Sequence, residues 1–398
     1  MRPTPHVPVL LSLVLAAALA ACQPAQEPAS SSTDTAAAPA AQSSRPVASQ
    51  QGQARLTVVA SGLSHPWAVA PLPDGGFLVT ERGGQLRRVG SDGKVSAPLA
   101  GVPEVAARGQ GGLLDVALAP DFAQSRRIYL SYAEPGANGL SGTAAAHATL
   151  GEAGLENLVV IYRQEPKVDA ENHYGSRFAF DDQGHVFISQ GDRTLRPAAQ
   201  ELDKLQGKLV RLKLDGSIPE DNPFVGKEGA RPEIWSYGHR NSQGLAIDPR
   251  TGRLWESEHG PRGGDEINLP QPGANYGWPV VTHGINYSGQ PIPEAVGKEK
   301  EGMAPAHHIF EVSPALSGMA FYTGRPGKPW NDSLFLGALA HRALIRLQLE
   351  GDRVVGEERL LEDLGERIRD VRLGPDGNLY LVTDEDDGKL LRLEPPAG

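Results

Sequence analysis

Two places in this sequence carry side chains well suited to chemistry: a single histidine, and an arginine followed directly by an asparagine. His173 lies in the polar segment 172–177, and a neutral imidazole can accept a proton near pH 7. Arg240 and Asn241 place a planar cation beside an amide, and both groups bind carboxylate and carbonyl oxygens. The residues alone leave two alternatives open: His173 in an ordinary surface loop, and Arg240 in a structural salt bridge.

A second group of residues is suited to binding a cation. The segment 258–268 combines glycines, the adjacent carboxylates Asp265 and Glu266, and backbone carbonyls near Pro261. Such oxygens suit Ca²⁺, a hard ion that takes about six to eight oxygen ligands. The segment does not match an EF-hand loop, and acidic turns are common on protein surfaces, so the spacing alone is a weak indication.

Arg367 and Arg369 form a third candidate. In a strand, residues two positions apart point to the same side, so both guanidinium groups share one face. Two arginines on one face, uncompensated in sequence, favour a multiply anionic ligand. An ordinary solvated arginine face is the alternative. Asp370 points the other way, where we expect it to support the structure.

These candidates flank copies of one repeated pattern. An apolar strand, a turn rich in Asp, Gly or Pro, and a second apolar strand recur in segments 65–80, 112–132, 175–189, 243–257, 317–337 and 368–383. One such copy cannot bury both of its faces alone. We therefore predict an all-β fold, a six-bladed β-propeller of four-stranded antiparallel blades over residues 55–398. Two stacked β-sandwiches are the alternative, but they do not explain six equivalent turns. Loops at one end of a propeller build its site, which would bring the candidates together.

The amino terminus predicts export. Arg2 and the apolar stretch 9–18 are typical of a signal peptide over residues 1–21, and the stretch is short for a membrane span. Cys22, the only cysteine, follows in a pattern that resembles a bacterial lipobox, so we expect lipidation there; an ordinary signal peptide is the alternative. Residues 22–54, rich in Ala, Ser, Pro and Gln, are predicted to be a disordered tether. Gln23 favours an anchor on the periplasmic face of the outer membrane.

The net charge of −10 argues against a nucleic-acid partner. No glycine-rich nucleotide-binding motif indicates a nicotinamide or flavin cofactor. We expect no membrane contact beyond the lipid anchor, and a monomer or weak dimer.

Taken together, the motifs resemble the soluble sugar dehydrogenases that depend on pyrroloquinoline quinone (PQQ), in particular the aldose sugar dehydrogenases of the soluble glucose dehydrogenase family. The similarity covers nearly all of residues 56–394. It is carried by segments 110–114, 171–177, 238–241, 258–261, 265–268, 275–278 and 367–370.

The resemblance implies an enzyme that oxidises aldoses at C1 to the lactone with PQQ and Ca²⁺. His173 matches the general base that removes the proton from the anomeric hydroxyl as hydride leaves C1. Positions that match the PQQ-binding residues are Gln110, Arg240, Asn241, Tyr287, Arg367 and Arg369. Carbonyls of Gly260 and Pro261 would ligate the calcium beside PQQ, and Glu266 with the backbone of Tyr276 matches a second calcium site. PQQ has three carboxylates, so arginines and a divalent cation suit it.

One position departs from the family. Where close relatives carry a lysine this chain has Ala340, so either Arg342 replaces that charge or PQQ binds less tightly. We expect a broad range of aldoses and an electron acceptor that is a quinone or a cytochrome. Two other functions stay open from the sequence: a cofactor-free propeller acting as a cell-surface binding module, and a calcium-dependent lactonase.

Overall fold

The computed structural model describes residues 43–323 and 329–397. Strands β1 (Ser44–Ser49) and β2 (Gly52–Leu63) come first, and blade one contains β3 (Pro66–Pro71), β4 (Phe77–Glu81) and β5 (Gln85–Val89). Blade two contains β6 (Leu113–Leu118), β7 (Arg127–Pro135), β8 (Ser141–Leu150) and β9 (Leu155–Arg163). Blade three contains β10 (Gly175–Phe180), β11 (His185–Gln190), β12 (Lys208–Lys213) and β13 (Ile234–Tyr237).

Blade four contains β14 (Ser242–Ile247), β15 (Leu254–Glu258), β16 (Asp265–Asn268) and β17 (His308–Phe310). Blade five contains β18 (Leu316–Tyr322), β19 (Ser333–Ala338), β20 (Ala343–Glu350) and β21 (Arg353–Leu360). Blade six contains β22 (Ile368–Leu373), β23 (Leu379–Thr383) and β24 (Gly388–Glu394). Within residues 43–323 and 329–397, the helical pieces are one turn of α-helix, α1 (Phe122–Ser125), and 3₁₀ turns at Ala137–Gly139, Arg196–Gln200 and Glu362–Leu364.

The six sheets form a closed ring. The first strands of the blades, β3, β6, β10, β14, β18 and β22, contact one another in that order, and β22 returns to β3. The predicted six-bladed antiparallel propeller is therefore confirmed. Four of the sheets have four strands; among the described residues, blade one has three and blade six has five.

The first and the last described strands lie in the same sheet, that of blade six. β2 pairs antiparallel with β24, where Leu56 lies opposite Leu393, and β1 pairs in turn with β2. The prediction that residues up to 54 belong to a disordered tether is thus wrong for β1 and the start of β2. The composition of residues 22–54 is poor in apolar residues, but pairing of the backbone with a sheet edge needs few of them. The rest of the predicted tether, the signal peptide and Cys22 lie outside the described residues.

The apolar core lies between the blades. Each of the six interfaces between neighbouring blades holds its own cluster of buried side chains. Both faces of a blade are covered in this way, so strands such as β4 and β19 are buried at every position. No helix among the described residues is long and apolar enough to cross a membrane.

The middle of the ring is polar. Arg177 on β10 has Nη1 3.3 Å from Asp115 Oδ1 on β6 and 3.0 Å from Asp370 Oδ1 on β22. Its Nε donates to the carbonyl of Gln243 on β14 at 2.9 Å. The Arg177 side chain thus links the first strands of four blades, and two of these strands, β10 and β22, are not neighbours in the ring. The expected supporting role of Asp370 is confirmed, because Asp370 also accepts hydrogen bonds from Val69 N and Arg372 Nε.

Turns and bulges at opposite ends of the hairpins set the position of the loops. At the predicted Asp-Gly turns, Asp74 Oδ1 accepts from Gly76 N at 3.0 Å, and Gly75 has a φ of 83°. At the other end, the pairing of the first two strands shifts register in every blade. Such bulges bend a strand and redirect its side chains. The candidate residues lie at this bulged end.

Candidate active site

The predicted base, His173, forms a buried pair with Asp192. His173 Nδ1 lies 2.7 Å from Asp192 Oδ1, and the histidine side chain is 13% exposed whereas the aspartate is 0% exposed. Asp192 Oδ1 also accepts from Thr194 N, and Oδ2 accepts from Trp278 Nε1, each at 2.7 Å. Asp192 is therefore an acceptor on both oxygens. Its partner nitrogen on His173 must carry the hydrogen, which leaves Nε2 with a free lone pair.

Burial, rather than the charge of Asp192, favours the neutral form of His173. Burial lowers the pKa of His173 below its ordinary value, although the charge of Asp192 opposes that shift. Burial alone would raise the pKa of Asp192, but the adjacent His173 ring lowers it. Among the described residues, no group is hydrogen bonded to His173 Nε2. A neutral imidazole with a free Nε2 can act as a general base.

The loop that carries His173 is held in a strained conformation. Its φ is 59°, in the left-handed region that non-glycine residues rarely adopt. Gln110 Oε1 accepts from His173 N at 2.9 Å. On the other side Gly191 is required, because a Cβ there would lie 1.9 Å from the His173 carbonyl oxygen. Contacts from blades two and three thus determine where the imidazole lies.

A cavity of about 250 Å³ has Gln110, which accepts from His173 N, and Tyr174, the next residue, in its walls, whereas His173 and Asp192 are not among the residues that line it. Its walls include Trp67, Gln110, Tyr287, Arg367 and Arg369, and a further arginine, Arg82. Four of the predicted cofactor-binding residues are therefore brought together. The described residues that line it include no carboxylate. Such a cavity suits an anionic, planar ligand.

The charges of Arg367 and Arg369 are partly compensated, which the sequence analysis did not foresee. Asp384 Oδ2 forms an ion pair with Nη2 of Arg369 and a longer one, at 3.5 Å, with Nη2 of Arg367. Burial alone would raise the pKa of Asp384. The neighbouring arginines, Arg369 most strongly, lower that pKa instead. Asp384 lies behind the arginines and does not line the cavity.

Two buried guanidinium groups retain unused donors. Among the described residues, Nε of Arg369 and Nε of Arg240 are buried without a hydrogen-bond partner. An unpaired buried donor of this kind costs about 1–3 kcal/mol. A ligand with several carboxylates and carbonyls would satisfy such donors, so the site fits PQQ.

Arg240 and Asn241, the other two predicted cofactor-binding residues, do not line this cavity; Arg240 lines a neighbouring gap that shares His259 with it. Arg240 Nη1 donates to the carbonyls of Gly260, at 2.7 Å, and His259, at 3.1 Å. A carbonyl oxygen has two lone pairs, so this hydrogen bond leaves Gly260 able to ligate a cation. Asn241 is buried behind the cavity, where its Oδ1 accepts from Gly175 N at 3.3 Å.

The four predicted metal-site residues are close together. Gly260, Pro261, Glu266 and Tyr276 line one narrow gap next to Arg240. Glu266 and Tyr276 also line a larger surface cavity of about 500 Å³. The gap offers carboxylate and carbonyl oxygens, the donors that Ca²⁺ prefers.

A buried acidic cluster extends inward from Glu266. Asn268 Nδ2 donates to Glu256 Oε2, Glu258 Oε1 and Glu266 Oε1 at 3.0, 3.1 and 3.3 Å. His239 Nδ1 lies 3.5 Å from Glu258 Oε1. Burial and then the charge of Glu258 raise the pKa of Glu266 well above its ordinary value and that of Glu256 to about 8. Carboxylates this close oppose one another's ionisation, so a divalent cation fits beside them.

Sequence reasoning missed the acidic residues that support the site. Asp192 and Asp384 each follow the second strand of a blade, and Glu81 and Glu258 end the second strands of two others. In all four cases the carboxylate accepts hydrogen bonds from the neighbouring loop or strand. Aligning the repeats on this position would have revealed them.

Ala340, at the position where close relatives carry a lysine, lies outside the cavity and is exposed. Arg342, the suggested substitute, donates from Nη1 to the Gly365 carbonyl and pairs with Glu385 at 3.3 Å. Arg342 does not face the cavity either. The prediction that it replaces the lysine is therefore not supported by its position.

Comparison with known proteins agrees with this geometry. A family model described as Glucose / Sorbosone dehydrogenase matches residues 63–392. The chain is 54% identical over 343 residues to aldose sugar dehydrogenase YliI of Escherichia coli (strain K12), covering 85% of this chain and 92% of that protein. The chain therefore belongs to the glucose/sorbosone dehydrogenase family. This confirms the predicted family and the predicted class of enzyme, a sugar dehydrogenase.

Solved structures show the same architecture. A crystal structure of a glucose dehydrogenase, 60% identical, matches 85% of this chain and 98% of its own with a TM-score of 0.83. The PQQ-bound form of aldose sugar dehydrogenase from Streptomyces coelicolor, 30% identical, matches 89% of this chain and 99% of its own with a TM-score of 0.71.

Proposed function

We propose that this protein oxidises aldose sugars at C1 to the lactone, using PQQ and Ca²⁺. The observation that carries the proposal is the neutral His173, held by Asp192, in a loop bonded to Gln110, whose side chain lines a cavity rich in arginines and free of carboxylates. The PQQ-bound relative from Streptomyces coelicolor supports the cofactor. A base and an anion-binding cavity together suit proton abstraction coupled to transfer of hydride to a bound acceptor.

His173 would take the proton of the anomeric hydroxyl on Nε2. Asp192 stabilises the imidazolium that forms, because its carboxylate accepts the hydrogen of Nδ1 throughout. Trp278 and Thr194 hold that carboxylate in place, so little reorganisation accompanies the proton transfer. Bound PQQ would accept the hydride from C1, and calcium beside it would polarise the quinone.

Five of the six residues that would hold the cofactor line two neighbouring regions, which share His259 in their walls. Gln110, Tyr287, Arg367 and Arg369 face the cavity. Arg240 faces the gap in which the carbonyls of Gly260 and Pro261 would ligate calcium, and Asn241 supports the wall behind it. Tyr287 is 74% exposed, which suits a ring that covers a ligand at the mouth of the cavity.

Reduction of a dye by the purified protein, with glucose and a panel of other aldoses, tests the proposal. Activity that requires both added PQQ and added Ca²⁺ is the expected result. No activity, with no change in PQQ absorbance on mixing, would favour the cell-surface binding module. Cleavage of lactones without any electron acceptor would favour the calcium-dependent lactonase.

We also propose that the protein is exported and anchored through lipidated Cys22 on the periplasmic face of the outer membrane. The apolar stretch and the single cysteine after it support this. A lipid anchor would place the enzyme near quinones and cytochromes that accept electrons. Cys22→Ser is expected to move the protein from the membrane fraction to the soluble fraction. Continued membrane association of that variant would refute the anchor.

A further inference from the structure

A third arginine faces the cofactor cavity. Arg82 follows the last residue of β4 in blade one, and its side chain lines the cavity with Arg367 and Arg369 of blade six. It lies near enough to Asp384 to help lower the pKa of that carboxylate, after the larger effect of Arg369. Arg82 is therefore on the same side of the cavity as the two predicted cofactor-binding arginines.

The backbone of Arg82 is fixed by neighbours on both sides. Its N donates to the His65 carbonyl, and its carbonyl accepts from Leu113 N, each at 3.1 Å. Gly112 must be glycine at this contact, since it has a φ of 147° and a Cβ there would lie 1.8 Å from the Arg82 carbonyl oxygen. The start of the side chain is thus placed by blades one and two together.

Arg82 forms no direct ion pair among the described residues, unlike the other arginines nearby. Arg367 and Arg369 share Asp384, and Arg342 pairs with Glu385 outside the cavity. Among the described residues, the Arg82 side chain forms no ion pair, and its single hydrogen bond runs from Nη1 to the Gly109 carbonyl at 3.3 Å. A guanidinium group has five N–H donors, so most of those of Arg82 are available to a ligand.

We propose that Arg82 is a cofactor-binding residue that donates to a carboxylate of PQQ. The assignment rests on the proposed function, because it takes PQQ as the ligand. PQQ carries three carboxylates, and one carboxylate of the protein already offsets part of the charge of Arg367 and Arg369. Arg82 supplies a further cation, held in no direct ion pair, to a ligand of this charge.

Binding of PQQ to the calcium-loaded protein tests this without measuring turnover. Trp67 lines the cavity, so quenching of tryptophan fluorescence on addition of PQQ gives Kd. A charge-assisted hydrogen bond of this kind is expected to change Kd by about tenfold to a hundredfold. Arg82→Met should weaken binding by that factor, and the dependence of Kd on salt should become shallower. Arg82→Lys should restore part of the affinity because it keeps the charge.

A matched control is available in the same blade. Arg88 on β5 pairs with Asp74 at the surface, so Arg88→Met should leave Kd unchanged. Unchanged thermal unfolding of Arg82→Met would exclude misfolding as the cause of weaker binding; if it unfolds early, Arg82→Gln is compared instead. If the Kd of Arg82→Met lies within twofold of that of the unaltered protein, the role of Arg82 is refuted while the proposed function stands. Absence of PQQ binding by the unaltered protein would overturn the proposed function, and this assignment with it.

Discussion

Replacing Asp192 with Asn tests how the site controls its base. Three N–H groups point at this carboxylate: those of His173 Nδ1 and Thr194 toward Oδ1, and that of Trp278 Nε1 toward Oδ2. An amide has only one acceptor oxygen. If that oxygen faces His173, the amide NH₂ meets the indole N–H; if it faces Trp278, the NH₂ donates to Nδ1. The second arrangement forces the hydrogen of His173 onto Nε2 and removes the base.

The size of the effect follows from the two functions that are lost. A positioned general base contributes about 10²–10⁴-fold to the rate, or about 3–5 kcal/mol of the barrier. The wrong tautomer removes the base, and the neutral amide no longer stabilises the imidazolium. We therefore expect kcat of Asp192→Asn to fall by about 10²–10⁴-fold, while the Kd for PQQ stays near that of the unaltered protein because Asp192 does not line the cavity.

Steady-state dye reduction as a function of pH measures kcat and the position of the acid limb of its pH profile. Tryptophan fluorescence measures the Kd for PQQ. The charge of Asp192 raises the pKa of His173 against the larger effect of burial, so removing it should lower that pKa further. The acid limb of any residual activity should then move to lower pH. Folding is checked by circular dichroism, because the variant also changes a buried hydrogen-bond network.

A second histidine–aspartate pair provides the control. His185 Nδ1 lies 2.8 Å from Asp181 Oδ2 in the hairpin turn of the same blade, away from the cavity. Asp181→Asn should leave kcat unchanged. A fall in kcat of less than tenfold for Asp192→Asn, or an acid limb that moves to higher pH, would refute the role given to Asp192.

Three other predictions concern the base, its pH dependence and the middle of the ring. His173→Gln should still bind PQQ but lose most turnover, and an active variant would show that another group is the base. In the unaltered protein burial lowers the pKa of His173, so kcat should hold below pH 6.5 and fall only as the pH drops through that lowered value; an acid limb above pH 6.5 would contradict this. Arg177→Met leaves Asp115 and Asp370 buried with one cation fewer, so urea denaturation should show a loss of about 3–5 kcal/mol. Arg88→Met, at the exposed pair with Asp74, should cost about 1 kcal/mol or less. Equal losses for the two arginine variants would refute the importance of the central ion pairs.

The sequence by itself determined the repeated unit and the end of the propeller at which the candidate residues lie. Strand periodicity and Asp-Gly turns are local properties, so six copies could be counted and six blades predicted. His173, Arg367 and Arg369 were found because they stand beside the first strands of their blades. Their chemical types and their positions in the repeat sufficed to place them at one end of a propeller.

Only the tertiary structure decided which residues pair with them. Asp192 reaches His173 across the open end of the β10–β11 hairpin, and Asp384 joins two arginines across the sheet of blade six. Arg82 comes to the same cavity from blade one because the ring closes, and the ring closes because β2 pairs with β24 from the opposite end of the chain. Periodicity reports which face of a strand a residue occupies, whereas the partner on that face depends on how separate blades meet in space.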